Sequence, residues 1–327
     1  MFRYFSLNAS LRQTYGERVQ KIPLDAGFDC PNRDGAISRE GCIFCNPSGS
    51  GSGMLKEGKD LLSQWTHWTE FQKRRYGARL FIGYLQSYSN TYGPIEKIAH
   101  TLSRLENLPG LAALSIGTRP DCLDDAKLRL LAAQKEKLNL NEIYLELGLQ
   151  TAHDETLTHI NRGHSVTDFK DMACRAADLG LNVVAHVIAG LPTPSGREGL
   201  AELLETVDFL NALPVRGIKF HNLYVCKGTR LAKLWKEGGY TPITLEEYCL
   251  WLGEALMHLS PAVVVHRLNG DPAPDELLAP EWAGAKRDVH NAIRTHLEKN
   301  HIWQGKKHEA VDGPPVHFAP DHKEHRA

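Results

Sequence analysis

The chain has 327 residues, 42% of them hydrophobic, and its 38 lysines and arginines nearly balance its 39 aspartates and glutamates. This length suits one large α/β domain with extensions or two ordinary domains. The near-zero net charge excludes an overall positive field that would attract nucleic acid or an anionic membrane. Seven cysteines without a regular framework are typical of a reducing compartment, and no apolar run is long enough to span a bilayer. We therefore expect a cytoplasmic protein with no membrane contact.

The amino-terminal residues 1–16 mix aromatic and polar side chains, and we expect them to form a lid segment or a short helix against the main domain. Residues 19–26 alternate between apolar and polar side chains, which predicts a first strand. This strand leads directly into three cysteines, Cys30, Cys42 and Cys45, with eleven residues between the first two and two between the last two. We call residues 30–45 the cysteine loop.

The cysteine loop has the composition of a metal site with one ligand too few. Thiolates are soft ligands that select zinc, copper(I) or iron-sulfur clusters, and a Cys-x-x-Cys pair lets two sulfurs converge on one centre. The next cysteine, Cys122, comes much later in the chain. Structural zinc sites and ferredoxin clusters use four protein ligands, whereas three leave a metal position open for a reacting molecule. The sequence therefore predicts a metal centre with an open position.

Two alternatives for this loop stay open on the residues alone. A structural zinc module would take His67 or a later residue as its fourth ligand. A redox pair of Cys42 and Cys45 would be similar to a thioredoxin motif, which normally opens a helix in a smaller fold. After Cys45, the run of glycine and serine at 46–53 predicts either a close approach of the backbone to a cofactor or a mobile surface loop.

A regular alternation of strands and helices follows the cysteine loop. Amphipathic helical patterns, clearest at 95–105 and 200–210, separate apolar runs that predict strands. These runs lie at 80–85, 111–116, 143–149, 183–189 and 218–225. With the first strand they make six β/α units, which predict a parallel sheet covered by helices and suit a partly open six-stranded barrel. The first strand is not followed by Gly-x-Gly-x-x-Gly, which argues against a dinucleotide fold.

The predicted organisation has four parts. The segment 1–16 precedes a core domain at 17–240, and an α-rich extension at 241–303 contains a short strand at 263–267. The last part, 304–327, is rich in histidine, lysine and proline, and we expect it to be disordered.

A strand that leads into a three-cysteine loop, followed by five β/α units, resembles the radical S-adenosylmethionine superfamily over residues 17–240. The gap of eleven departs from the common Cys-x3-Cys-x2-Cys loop and is similar to the branch of the elongator catalytic subunit and oxygen-independent coproporphyrinogen dehydrogenase. Several blocks are similar to the YhcC-like or YtqA-like family of that superfamily. They are Cys-Pro-Asn-Arg-Asp-Gly at 30–35, Tyr-Leu-Gln-Ser-Tyr-Ser-Asn-Thr-Tyr at 84–92, Gly-Thr-Arg-Pro-Asp at 117–121, Glu-Leu-Gly-Leu-Gln at 146–150, Arg-Gly-His at 162–164, and 221–229.

The resemblance implies an enzyme with a barrel of radical S-adenosylmethionine type. It implies that Cys30, Cys42 and Cys45 hold three irons of a four-iron four-sulfur cluster, and that S-adenosylmethionine binds the fourth. An electron from a donor such as flavodoxin or ferredoxin would then cleave S-adenosylmethionine to a 5'-deoxyadenosyl radical, which abstracts hydrogen from a substrate carbon. The cofactor supplies the difficult chemistry, and the protein binds and orients it.

Further S-adenosylmethionine contacts follow from the same resemblance. Gln150 and Arg162 match positions that contact the nucleoside and the carboxylate in the porphyrin-oxidising relatives, and the planar fork of arginine suits a carboxylate. Those relatives have an Asp at the position of His186 and a Glu at the position of Gly117, so this chain differs from them at both. Gly190 would bring the backbone close to the adenine. Polar groups after the second strand would come from Ser87 and Asn90.

Catalytic candidates and the substrate are less constrained. Cys122 and Cys226 follow strands, on the side where such folds place their sites, and His221 is a candidate acid or base. Cys174 and Cys249 lie on amphipathic helices as structural thiols. The elongator relative implies a transfer RNA wobble uridine as substrate, supported by the basic patch at 73–75, and the alternative is a small molecule. The sequence predicts neither the net reaction nor the oligomeric state.

Overall fold

The computed structural model describes residues 2–46, 49, 54–273, 275–308 and 313–319. Seven parallel strands form one sheet in the order of the chain and curl it into an open half-barrel. They are β1 (Val19–Leu24), β2 (Leu80–Leu85), β3 (Leu111–Thr118), β4 (Glu142–Gln150), β5 (Asn182–Ala189), β6 (Val215–Asn222) and β7 (Val264–Arg267). Two short antiparallel pairs lie outside this sheet: Pro192–Thr193 with Gly196–Arg197, and Val225–Cys226 with Leu277–Ala279.

The predicted α/β fold with an open parallel barrel is confirmed, with one strand more than the six expected. The seventh strand, β7, belongs to the segment that was predicted to be a helical extension, and it pairs in parallel with β6. Four residues are too few to show a β/α unit in the sequence, and the pairing of β7 with β6 depends on the curl of the whole sheet.

Helices cover the outer face of the sheet and one end of the barrel. Side-chain caps stabilise the first turns of several of them, including the capping boxes of Ser165 with Asp168 and Thr244 with Glu247. The helices are α1 (Leu7–Tyr15), α2 (Pro31–Asp34), α3 (Leu61–Tyr76), α4 (Ile95–Ser103), α5 (Asp125–Lys137), α6 (Asp154–His159), α7 (Val166–Asp178), α8 (Leu200–Asn211), α9 (Arg230–Lys236), α10 (Leu245–His258) and α11 (Lys286–Lys299). None of the helices in the described residues combines the length and apolar character that crossing a bilayer requires.

The interior of the barrel is layered, because alternate residues of each strand face the same side. At the amino ends of the strands, Leu11 of α1 packs on an apolar layer of Val19, Ile82, Ala113, Tyr144 and Val184. Two residues further along the strands lies a set that we call the inner polar layer: Lys21, Tyr84, Ser115, Glu146, His186 and Lys219. The helix α1 therefore closes the amino end of the barrel and leaves the carboxyl ends of the strands to form the site.

Part of the segment expected to be disordered packs against the domain. The side chain of Gln304 is fully buried and donates to the carbonyls of Ser260 and Val263, and Phe318 stacks on Phe5 at 6.1 Å between ring centres. The expectation of disorder at 304–327 therefore differs from the structure at 304–308 and 313–319, because these contacts join positions far apart in the chain. The remainder of that prediction lies outside the described residues.

Candidate functional site

A cavity of about 590 Å³ brings the three predicted metal-binding cysteines together. Cys30, Cys42 and Cys45 line one side, and residues from the inner faces of β1 to β7 line the rest. Because the strands are parallel, the loops after their carboxyl ends meet at this edge of the sheet. The cysteine loop follows β1 and so lies at the mouth of the barrel.

Asparagine side chains fix the long cysteine loop in place. The Nδ2 atom of the buried Asn32 donates to the carbonyl oxygens of Asn161 at 2.6 Å and Arg162 at 3.1 Å. In the opposite direction, Asn161 donates to the carbonyl of Gly41 at 2.7 Å. A Cβ on Gly163 would approach Asn32 Oδ1 within 2.9 Å, so only glycine permits this contact. The eleven residues between the first two cysteines therefore dock on the segment after β4.

The surroundings of the thiols suit an anionic, thiolate-bound group. Cys42 Sγ accepts from Asn32 Nδ2 and Arg162 Nη1, both at 3.7 Å. Arg33 donates to the carbonyl of Cys45 at 2.9 Å, and the buried Arg119 lines the same cavity. Burial raises the pKa of Cys30 and Cys45, so these thiols need a metal or nearby cations to become thiolates.

Arg119 also carries a donor without a partner. Its Nε and Nη2 atoms donate to the two carboxylate oxygens of Asp121 at 2.9 and 2.8 Å, but no described residue accepts from Nη1. A buried guanidinium donor without an acceptor is costly, and a negative group in the cavity would satisfy it. The residues therefore fit an anionic cofactor beside the three cysteines.

The arrangement differs from that of a single metal ion. Within the described part of the chain, no three His, Cys, Asp or Glu side chains are placed to hold one metal. His67, the alternative zinc ligand, lies on the exposed face of α3 and makes an edge-to-face contact with Trp68, away from the cavity.

Gln150 and Arg162 lie on the cavity wall in a strained arrangement. Gln150 has a φ of 79°, an unusual backbone conformation for a residue other than glycine, and it interrupts the register between β4 and β5. A Cβ on Gly148 would overlap the side chains of both Gln150 and Arg162. Arg162 Nη2 donates to the carbonyl of Gly148 at 2.9 Å. The glycine thus lets the two polar side chains converge on the cavity beside Cys42.

The side chain of His164 accepts a hydrogen bond from the guanidinium of Arg162. Arg162 Nε donates to His164 Nε2 at 2.8 Å, and His164 Nδ1 lies 3.1 Å from the carbonyl of Ser165. Burial, with the charges of Arg162 and Arg119, lowers the pKa of His164 to about 2. A neutral ring with its proton on Nδ1 satisfies both contacts, so His164 orients Arg162 toward the thiols.

Some of the other residues considered for cofactor contacts line the cavity, and others do not. His186 lines the cavity, as does Gly117. Asn90 is buried and donates to the carbonyls of Leu85 at 3.1 Å and Gly117 at 2.9 Å, where it joins β2 to β3. Ser87 is fully buried outside the cavity lining, and so is Gly190, whose carbonyl accepts from Tyr240 at 2.8 Å.

Two of the three catalytic candidates line the cavity. They are Cys226 and His221, whereas Cys122 is buried outside the lining. Burial raises the pKa of Cys226 to about 12 and that of Cys122 to about 11, so both are neutral thiols at neutral pH. Cys174 is partly buried and Cys249 buried, away from the cavity.

The basic patch at 73–75 lies at the other end of the barrel. These residues end α3, and β2 begins at Leu80, so the patch is beside the amino ends of the strands. On the side of the cavity, the exposed cations include Arg39 of the cysteine loop. Lys227 and Arg230, which follow β6, are exposed on the same side. Any nucleic acid that reaches the cavity would therefore meet these three residues rather than 73–75.

The inner polar layer forms the floor of the cavity, a role that was not predicted from the sequence. Glu146 accepts from Lys21 at 2.6 Å, from His186 at 3.0 Å and, over shorter contacts, from Lys219 and Ser115. Burial alone would raise the pKa of Glu146, but Lys21 and Lys219 with the hydrogen bond from His186 hold it well below its usual range. The available signal was a charged residue inside each of several otherwise apolar strands.

Comparisons with known proteins agree with this geometry. The profile of the Radical SAM superfamily matches residues 35–210, and that of the Radical_SAM C-terminal domain matches residues 215–299. Protein YhcC of Escherichia coli K12 is 39% identical over 272 residues, which cover 83% of this chain and 85% of the relative.

Two more distant matches cover smaller shares of larger proteins. A tRNA uridine(34) acetyltransferase of Dehalococcoides mccartyi is 29% identical over 188 residues, which cover 58% of this chain and 39% of that enzyme. The solved structure of Methanocaldococcus infernus Elp3 without its N-terminus superposes with a TM-score of 0.64 at 20% identity, over 77% of this chain and 62% of that chain. The structural match shows the shared fold.

Proposed function

This chain belongs to the radical S-adenosylmethionine superfamily, with a four-iron four-sulfur cluster and S-adenosylmethionine as cofactors, and we propose that it uses them to abstract hydrogen from a substrate in the barrel cavity. When bound, these groups supply a 5'-deoxyadenosyl radical that takes hydrogen from a carbon atom. The observation that carries the proposal is the convergence of Cys30, Cys42 and Cys45 on one cavity whose other walls are the inner faces of the strands.

We assign the three thiols to the cluster and the adjacent polar groups to S-adenosylmethionine. Cys30, Cys42 and Cys45 would hold three irons, since they are the three thiols of the cysteine loop, whereas Cys226, which also lines the cavity, lies after β6 and is kept neutral by burial. Arg162 would bind the carboxylate of S-adenosylmethionine through its planar fork, and Gln150 would contact the nucleoside. The position of Arg162 Nη1, 3.7 Å from Cys42 Sγ, supports this assignment because the carboxylate would lie beside the cluster.

The electron that starts the reaction must come from a separate donor, and we propose a flavodoxin or ferredoxin. The cysteine loop carries several exposed residues at the mouth, so a donor can approach the cluster from this side. The seven cysteines are all free thiols, which together with a reducible cluster suits the cytoplasm.

Anaerobic reconstitution with iron and sulfide tests the proposed chemistry. We expect about four irons per chain, as the cluster type requires, and formation of 5'-deoxyadenosine when dithionite and S-adenosylmethionine are added. Cys30→Ala, Cys42→Ala and Cys45→Ala should each lose the cluster and this product, whereas the matched control Cys174→Ala should keep both. Purification with zinc and no inorganic sulfide, or a reconstituted cluster that never yields 5'-deoxyadenosine, would overturn the proposal.

For the substrate we propose a uridine at the wobble position of transfer RNA, with a small molecule as the alternative. The similarity to the D. mccartyi tRNA uridine(34) acetyltransferase supports the first. The neutral overall charge and the position of the patch at 73–75 support the second. A phosphate backbone near the mouth would meet Arg39, Lys227 and Arg230.

Charge reversal distinguishes these two substrates. If transfer RNA binds, the triple variant Arg39→Glu, Lys227→Glu, Arg230→Glu should lose binding in a low-salt filter assay, because phosphate contacts dominate affinity. The triple variant Lys73→Glu, Arg74→Glu, Arg75→Glu, at the opposite end of the barrel, is the matched control and should bind as the wild type does. No binding by the wild type at low salt would favour the small molecule.

A further inference from the structure

We infer that the inner end of the cavity binds an anionic group of the substrate, a carboxylate or a phosphate, between Lys219 and Arg267 with the side-chain amide of Asn222. This inference rests on the proposed function, because it names the substrate class for the same cavity. The inference belongs to the small-molecule alternative, since α1 closes the inner end and a phosphate within a transfer RNA chain could not be held there. It concerns the floor of the barrel on β6 and β7, away from the cysteine loop after β1 and from Arg162 after β4.

The first observation is an excess of positive charge at the floor. Lys21, Lys219 and Arg267 all line or border the cavity there, and the one carboxylate of the inner polar layer is Glu146. Glu146 is shared by the two lysines, at 2.6 Å from Lys21 and closer still to Lys219. Burial lowers the pKa of Lys219 to about 7, so this lysine is partly neutral at neutral pH. Lys21 and Arg267 still outnumber the one carboxylate, and low-dielectric surroundings strengthen the attraction of the floor for an anion.

Arg267 is the cation whose charge is not matched. It is the register partner of Lys219 between β7 and β6, so the two side chains lie next to each other on the floor. Of the other carboxylates that line the cavity, Asp271 pairs with Lys286, and Glu276 accepts from Asn46 at 2.6 Å. Among the described residues, no carboxylate lies at ion-pair distance from Arg267.

The second observation is a set of buried polar atoms that face the same cavity from the carboxyl end of β6 and lack partners. Asn222 is 1% exposed and lines the cavity; its Oδ1 atom accepts from the backbone of Gly270 at 2.9 Å, but its Nδ2 donor has no partner among the described residues. His221 Nε2 is also buried without one. A buried donor is normally satisfied, so an unsatisfied amide that lines the same cavity as two cations indicates that an acceptor belongs in this cavity.

The two observations identify the chemistry of the ligand. Arg267 offers a planar fork, Lys219 a point charge and Asn222 a neutral donor, which together suit a carboxylate or a phosphate. If these residues served only to stabilise the barrel, we would expect the charge of Arg267 to be matched and the amide of Asn222 to be satisfied, because unpaired buried groups reduce stability. The anionic group would hold the substrate by its inner end and leave the rest of the molecule directed toward the cysteine loop.

The experiment uses the reconstituted holoenzyme with saturating S-adenosylhomocysteine, which fills the cofactor site without being cleaved. Calorimetric titrations at low ionic strength compare N-acetylglycine, methyl phosphate and the neutral N-acetylglycinamide. We expect one of the two anions to bind in a one-to-one ratio and the neutral amide not to bind. Arg267→Gln and Lys219→Met should each weaken the binding by about tenfold or more, as expected for loss of a charged partner. The exposed variant Lys73→Gln is the matched control and should bind as the wild type does.

The result also distinguishes a carboxylate from a phosphate, according to which probe binds. Arg267→Gln keeps the inference testable if Lys219→Met fails to fold, because Arg267 takes no part in the ion pairs of Glu146. Absence of binding by both anions, or binding that neither substitution weakens, would overturn the inference. Failure of the proposed function has a different signature, since a wild-type enzyme could bind the anion and yet produce no 5'-deoxyadenosine.

Discussion

Arg162 points its Nη1 atom at the sulfur of Cys42, 3.7 Å away and 120 residues earlier in the chain. The contact joins the cysteine loop after β1 to the segment after β4, and His164 and Gly148 fix the guanidinium from two other sides. One side chain therefore links the proposed cluster site with the proposed site for S-adenosylmethionine.

Replacement of Arg162 by lysine should weaken cofactor binding and spare the cluster. Lysine keeps the charge but loses the planar fork, so we expect binding of S-adenosylhomocysteine to weaken by about tenfold. Calorimetry on the reconstituted variant measures this, and the visible absorption of the cluster should be unchanged. Arg175→Lys, on the exposed surface of α7, is the control. Equal affinity in Arg162→Lys and the wild type would remove Arg162 from the cofactor site.

Gly148→Ala should disturb the same site through sterics alone. The added Cβ would overlap the side chains of Arg162 and Gln150, so at least one of them must move. We expect a loss of about 1–3 kcal/mol in unfolding free energy, typical of overpacking, and weaker binding of S-adenosylhomocysteine. Denaturant unfolding and calorimetry measure the two effects. Gly199→Ala, where the nearest contact is the flexible carboxylate of Glu202 at 3.4 Å, should bind S-adenosylhomocysteine as the wild type does and lose only the small stability that alanine costs at the N-cap of α8.

The buried histidines predict a loss of stability in acid. The pKa of His164 falls to about 2 on folding, mainly through burial, so the folded protein binds fewer protons than the unfolded chain below pH 6.5 or so. Its contribution is fully present above that pH and decreases as the pH falls, by about 1.4 kcal/mol per pH unit. Burial also lowers the pKa of His221 and His266, which adds to the effect.

Thermal unfolding at pH 7, 6 and 5 measures the acid sensitivity. His164→Gln removes one titrating group, so its melting temperature should fall less steeply with acid than that of the wild type. The exposed His67→Gln should follow the wild type. Parallel curves for His164→Gln and the wild type would contradict a neutral His164 in the folded state.

The inner polar layer makes Glu146 important for stability. Glu146→Gln leaves Lys21 and Lys219 without their shared carboxylate in a buried place, and removal of one partner of a buried ion pair costs about 3–5 kcal/mol. Denaturant unfolding should show this loss, and the double variant Glu146→Gln, Lys219→Met should recover part of it. Glu237→Gln, on the exposed end of α9, should cost little. A double variant as unstable as the single one would mean that Lys219 is not the strained partner.

Much of the fold could be predicted because its signals are local. The strand β2 was predicted at its observed bounds from a continuous apolar run, and the three cysteines were grouped by their spacing and their place after β1. The seventh strand was not counted in the barrel, because its pairing with β6 depends on the curl of the whole sheet.

The polar floor could not be predicted for the same reason. Glu146 and Lys21 are 125 residues apart, and Glu146 and Lys219 are 73 apart, so their contacts depend on which strand faces meet inside the barrel. The positive φ of Gln150 is likewise invisible in the sequence, since any side chain other than glycine is normally excluded from that conformation. Ser87 and Asn90 were predicted to contact a cofactor because they follow β2. In the structure, the side-chain amide of Asn90 donates to two backbone carbonyls.

The packing of α1 against the amino ends of the strands has a kinetic consequence. With that end filled by Leu11 and the apolar layer beneath it, a molecule on the polar floor enters and leaves on the side of the barrel where the cysteine loop lies. Whatever binds beside the cysteines then stands between the substrate and bulk water. Exchange of substrate and product is therefore confined to the side of the barrel opposite α1, and a group bound beside the cysteines slows both steps.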